Sequence, residues 1–136
     1  MKTNLGAFYA TDKNLEKEGK WLDITEEVSF KLRRMGGANG IKVSEVRAMH
    51  FKPYARSIKN NTLDKSKQEN LFIQTFVDSC LVAWKGLADG EGVELEFTRE
   101  NAVALLTEYP DLFDELLTFS ESNLSFKEDS EDLGNS

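Results

Sequence analysis

The chain has little of what catalytic, secreted or metal-binding proteins are usually built around. Its 136 residues include one cysteine, Cys80, and one histidine, His50. An internal disulfide cannot form, and a zinc site of ordinary composition cannot be assembled. No run of about 18 apolar residues occurs, so no membrane-spanning helix is expected. The opening MKTNLGAFYATDKNLEKEGK has no apolar stretch of the kind that marks a secretion signal. These absences predict a protein made and used in a reducing cytosol. Only two prolines occur, and both are expected at helix boundaries.

What is present fits one domain with a real core: 40% of residues are hydrophobic and 30% charged. The net charge of -7 conceals an asymmetry. Residues 1–67 hold 14 Lys/Arg and 8 Asp/Glu, whereas residues 68–136 hold 3 Lys/Arg and 16 Asp/Glu. Such a chain could pair its halves within one monomer, bind itself head to tail, or offer two faces to two partners.

Periodicity predicts an α+β fold, mostly helical, over residues 1–126. Residues 1–10 read as a frayed end or an edge strand, and 12–19 as a loop or one helical turn. A hairpin is expected from strands at 20–24 and 29–35, with a turn over 25–28, laying Trp21, Phe30 and Leu32 on the core. A helix follows over 43–52, with Val43, Val46, Met49 and His50 on one stripe and Pro53 ending it. Residues 57–66 read as a polar connector. The strongest pattern runs from Lys67 to Trp84, where Ile73, Phe76, Val77, Cys80, Leu81 and Trp84 recur at helical spacing. Asp-Gly and a further Gly then predict a turn, with a strand over VELEF (93–97). Thr98 caps the next helix, and Pro110 opens the last one with Asp111 in its first turn. That helix carries Leu112, Phe113, Leu116, Leu117 and Leu124 on a broad apolar face. Residues 127–136 are acidic, have little to bury, and are expected to be a disordered tail.

Chemical motifs are few. Gly36, Gly37 and Gly40 lie close together, but no [Ser/Thr] follows the nearby Lys42, so a phosphate loop is not supported and a strand-to-helix turn is. Arg33 and Arg34 beside Phe30 are open to two readings, an RNA-contacting patch or a solvated strand face, and the second is favoured. His50 reads as structural, Cys80 as an inert core thiol, and Asp78 as a boundary acid paired with a lysine or arginine of the basic half. No nucleophile, base and orienting group can be assembled, so neither an enzyme nor a cofactor is expected.

An ordered series of short motifs resembles the tail assembly chaperones of long-tailed bacteriophages. It comprises Phe30, Lys31, Arg34 (or Arg33), Gly36 and Asn39; Lys52, Pro53 and Tyr54; Trp84 and Gly86; Phe97, Thr98, Glu100, Asn101 and Ala102; Leu105 and Leu106; Pro110, Asp111 and Leu112; and Phe126. The series covers most of residues 20–126, with Gly40 departing from the bulky residue common in that family. The resemblance implies a non-enzymatic protein of the host cytoplasm that binds the tape-measure protein and is left out of the mature virion. It also implies self-association and, in many such phages, a frameshifted longer form that recruits tail-tube protein. The candidate partner contacts are Phe30, Arg33 and Arg34 in the hairpin and Leu112, Phe113, Leu116 and Leu117 in the last helix. Two rival readings are a nucleic-acid-binding regulator using Arg33, Arg34, Arg47, Lys52, Arg56 and Lys59, and a structural tail subunit.

Overall fold

The computed structural model describes residues 2–127. The acidic tail expected over 127–136 lies outside the described residues except for Lys127. That residue belongs to the fold, because it forms an antiparallel bridge with Thr11.

The N-terminal stretch is helical rather than an edge strand. A single turn, α1 (Gly6–Tyr9), precedes α2 (Lys13–Glu18), whose Asp12 cap accepts from the backbone N–H groups of Asn14 and Leu15. The predicted hairpin follows as β1 (Lys20–Asp23) and β2 (Ser29–Leu32), paired antiparallel with Leu22 opposite Phe30. Phe30 and Leu32 are fully buried, but Trp21 is not on the core. In this register Trp21 faces Lys31, so strand alternation turns it outward and sends Leu22 inward. The exposed indole is covered by Lys85, whose Nζ sits 4.4 Å from the ring centroid.

After a short 3-10 turn at Gly37–Asn39, α3 runs over Gly40–Phe51. Val43 and Val46 are buried, whereas Met49 is exposed. Pro53 ends α3 as expected, but the chain re-enters helix at once as α4 (Ala55–Lys59), so the connector is shorter than its polarity suggested.

The longest predicted helix is the largest correction. Helix α5 covers Lys65–Ser79, and the chain then becomes a third strand, β3 (Leu81–Lys85), paired antiparallel with β2. Leu32 faces Leu81 while Lys31 faces Ala83, so Val82 is an unmatched, bulged residue. The bulge lets Leu81 and Trp84 both point inward although they lie three apart, a spacing that mimics a helix. The expected strand over 93–97 is reduced to one bridge, Ala88 with Glu94. The sheet order is therefore β1-β2-β3.

Helices α6 (Arg99–Glu108) and α7 (Pro110–Glu121) complete the fold. Thr98 accepts from Asn101 N–H, and Pro110 occupies the first turn of α7, both as predicted. Phe76, Leu106 and Leu116 meet Phe30 and Leu32 in one core, with Trp84 and Phe113 at its margin. Leu124 lies beyond α7 in a 3-10 turn and is exposed, so it is not part of the helix's apolar face. Packing runs α3 against α5, α5 against α6, and α6 against α7. Helix α3 of the basic half and helix α6 of the acidic half thus both pack on α5.

Candidate protein-binding site

Most residues of the ordered motif series maintain the fold. Gly86 has φ +85°, and a Cβ there would collide with the Glu27 carbonyl. Trp84 Nε1 donates to Leu95 O at 2.9 Å, and its ring meets Phe97 edge to face at 4.9 Å. Asn101 Nδ2 donates to Glu96 O at 2.9 Å, and Ala102 is fully buried beneath the cap. The helix-start asparagine is also structural: Asn39 Nδ2 donates to Arg34 O at 2.9 Å and to Ser79 O at 3.1 Å. It joins the end of the hairpin to the end of α5.

The paired arginines of the hairpin are similarly occupied. Arg34 forms an ion pair with Glu16, which is almost completely buried and also accepts from Ala38 N–H at 3.0 Å. Burial pushes the Glu16 carboxyl up, but the Arg34 guanidinium and the Ala38 N–H together outweigh it and hold the group below the usual glutamate value. Gly37, at φ +54°, leaves room for this pair; a Cβ would meet Glu16 Oε2. Arg33 Nε donates to Lys17 O at 2.6 Å. Phe30 is shut beneath Trp84 at 6.1 Å, edge to face. Phe30 is therefore not available for stacking bases, and Phe30, Arg33 and Arg34 do not combine into a contact patch. Cys80 is fully buried, and burial pushes its thiol up to about 11, as befits an inert core residue.

Asp78 gathers a second polar cluster. Arg99 donates to both carboxylate oxygens, at 2.7 and 3.0 Å, and His50 Nε2 lies 2.6 Å from Oδ2. Burial raises the Asp78 carboxyl, but bonds from Arg99 and then His50 bring it below the ordinary aspartate value. The guanidinium thus comes from the acidic half, while the basic half supplies the histidine. The cluster straps α3 and the start of α6 to α5, which makes His50 structural.

The open apolar site lies where α6 turns sharply into α7. Pro110 lacks an N–H and suits a first helical position, so α7 starts almost where α6 ends. The elbow leaves a cleft of about 500 Å³ against α5. Phe72, Ile73, Leu106, Phe113 and Leu117 contribute its apolar lining, and Ser66, Glu69, Asn70, Thr107 and Asp114 its polar groups. Phe72 and Phe76 hold Phe113 edge to face at 5.6 and 5.4 Å. Among the described residues, no hydrogen-bonded nucleophile–base pair lines the cleft, and no group of three or more His, Cys, Asp or Glu is placed to hold a metal ion. The cleft can receive a row of apolar side chains.

Of the predicted contacts, Phe113 and Leu117 come together in this cleft. Leu112 is half-buried against the core, and Leu116 is fully buried within it, so the latter is a packing residue rather than a contact. Arg47, Lys52, Arg56 and Lys59 are all exposed, and none makes a salt bridge among the described residues. Sequence reasoning missed Phe72 at the cleft and Phe51 and Ile58 on the basic flank. The four-residue spacing of Phe72 and Phe76 was the available signal for the first. Residues 38–135 match a family model described as YdaY prophage protein. No curated protein and no solved structure shows a significant match. The matched span includes the whole cleft and the basic flank.

Proposed function

We propose, for a chain that belongs to the YdaY prophage protein family, that this phage-derived protein is a non-enzymatic tail assembly chaperone. Its client is the tape-measure protein, which it binds in the host cytoplasm and keeps soluble until the tail tube encloses it. The observation that carries this reading is the solvent-open apolar cleft between α5 and the α6–α7 elbow. A long helical client exposes apolar seams before assembly, and such seams dock in grooves between helices. Many copies along one client add avidity without tight single contacts. The motif series supports the same reading in part: Pro110 forms the elbow of the cleft, while Trp84, Gly86, Thr98 and Asn101 maintain the fold that carries it.

The test is co-expression with the tape-measure protein of the same prophage, followed by solubility and retention assays. Wild-type protein should keep the client soluble without nucleotide or metal. Leu117→Glu, at the half-buried edge of the cleft, should abolish retention while leaving the circular dichroism spectrum unchanged. Absence of retention by the wild type would overturn the proposal. The regulator reading draws on the exposed cations of α3 and α4. It predicts tight DNA or RNA binding with steep salt dependence, readable in a gel shift run beside the retention assay.

A further inference from the structure

The basic flank carries its own apolar hollow. Ala48, Phe51, Ala55 and Ile58 line a depression of about 440 Å³, bordered by Lys52 and Lys59. Ile58 is 43% exposed and adjoins Phe51 in one apolar patch. Phe51 also belongs to a second depression, shared with Arg47, Lys65 and Phe72. Phe72 and Glu69 in turn belong to the cleft. The three depressions therefore form one apolar track, Ile58 to Phe51 to Phe72 to Leu117.

The charges at the two ends of the track differ in sign. Lys52 and Lys59 border its α3–α4 end, Arg47, Lys65 and Glu69 its middle, and Glu69 and Asp114 its α7 end. The ring faces are also informative. Arg47 lies over Phe51 at 5.5 Å and Lys67 over Tyr54 at 4.8 Å. Cations occupy these faces, on which single-stranded nucleic acid would have to stack. A helix with an apolar seam meets both the floor and the borders, provided its flanking charges are sorted in the opposite sense.

We infer that the track seats one amphipathic helix of a protein partner in a fixed direction, its acidic end over Lys52 and Lys59 and its basic end over Glu69 and Asp114. This deepens the chaperone reading, on which it rests for the existence of a helical client. Fixed direction follows from complementarity: reversing the helix would set like charges together at both ends.

The probes are three synthetic helical peptides with the same leucine seam, whose flanking charges are all Glu, all Lys, or Glu in one half and Lys in the other. Binding to the full chain is read by fluorescence anisotropy at low and moderate salt. The half-and-half peptide should bind most tightly. Lys52→Glu/Lys59→Glu should weaken it about tenfold, because two border attractions become repulsions, and should strengthen the all-Lys peptide. The melting temperature should stay unchanged, since both lysines are exposed and lack salt bridges among the described residues. Equal binding of all three peptides, no binding of any, or tighter binding of single-stranded DNA or of phosphatidylglycerol vesicles would each overturn the track. If the tape-measure protein is retained equally by the double variant, the track falls and the chaperone reading stands. Peptide binding without tape-measure retention gives the converse.

Discussion

Two basic regions of the first half are put to opposite use. At the hairpin's end, Arg34 turns inward to Glu16 while Asn39 ties the same corner to α5. On α3, on α4 and in the turn between them, Arg47, Lys52, Arg56 and Lys59 stay in solvent, and Lys52 and Lys59 border an apolar hollow. The first region converts charge into a unique corner of the fold. The second leaves charge and apolar surface free together, the combination that binding a partner requires. Clustered basic residues alone therefore do not locate a binding surface; their internal partners must be known first.

The largest effect should come from breaking the inward region. Arg34→Ala leaves the Glu16 carboxylate buried without its cation and should cost about 3–5 kcal/mol, measured by urea unfolding. The added Glu16→Gln change should recover part of that loss. Full additivity of the two single changes would show that the pair is not coupled.

Next in size is Asn39→Ala, which strips the Arg34 and Ser79 carbonyls of a buried donor. It should cost about 1–3 kcal/mol by the same measurement. A wild-type melting temperature for this variant would mean that the corner is held without Asn39.

A pH series sharpens the contrast further. Glu16 and Asp78 both have folded values below their unfolded ones. Their contribution is present above the unfolded carboxylate range of about 4 and is lost as pH falls through the depressed folded values. Wild-type stability should therefore drop in acid. In Arg34→Ala the cation is gone and burial dominates at Glu16, so protonating that carboxyl relieves a penalty instead. The stability gap between variant and wild type should narrow on acidification, as followed by thermal melts. A gap that widens would contradict the internal role of the pair.

The smallest effect belongs to the outward region. Arg56→Ala and Lys59→Ala should each change stability by no more than about 0.5 kcal/mol. A large loss in either would place the basic flank among the fold-holding contacts and remove it as a docking surface.

Local chemistry made several parts of this molecule legible in advance. Thr98 before an apolar run, Pro110 before an acid, and Pro53 after a periodic stripe each act through their own backbone neighbours. Tertiary context cannot easily override them. The hairpin was legible for the same reason, since a short turn pairs adjacent strands. The two of the seven predicted contacts that line the cleft, Phe113 and Leu117, lie on α7, whose amphipathic pattern is strong.

What only the tertiary structure decided is non-local. Whether Leu81 to Lys85 continued α5 or joined β2 depended on hydrogen bonds to residues some fifty positions earlier. The bulge at Val82 gave the strand a helical spacing of inward side chains. Trp21 faces outward because register, not hydrophobicity, sets which side of a strand a residue occupies. The cleft itself is the space left where α5 and the α6–α7 elbow, which lies well after it in sequence, fail to close. Composition and periodicity determined that there would be one mostly helical α+β domain with a basic first half and an acidic second. Only packing decided which of those charges were enclosed and which apolar residues remained open, because both depend on partners the chain meets only when folded.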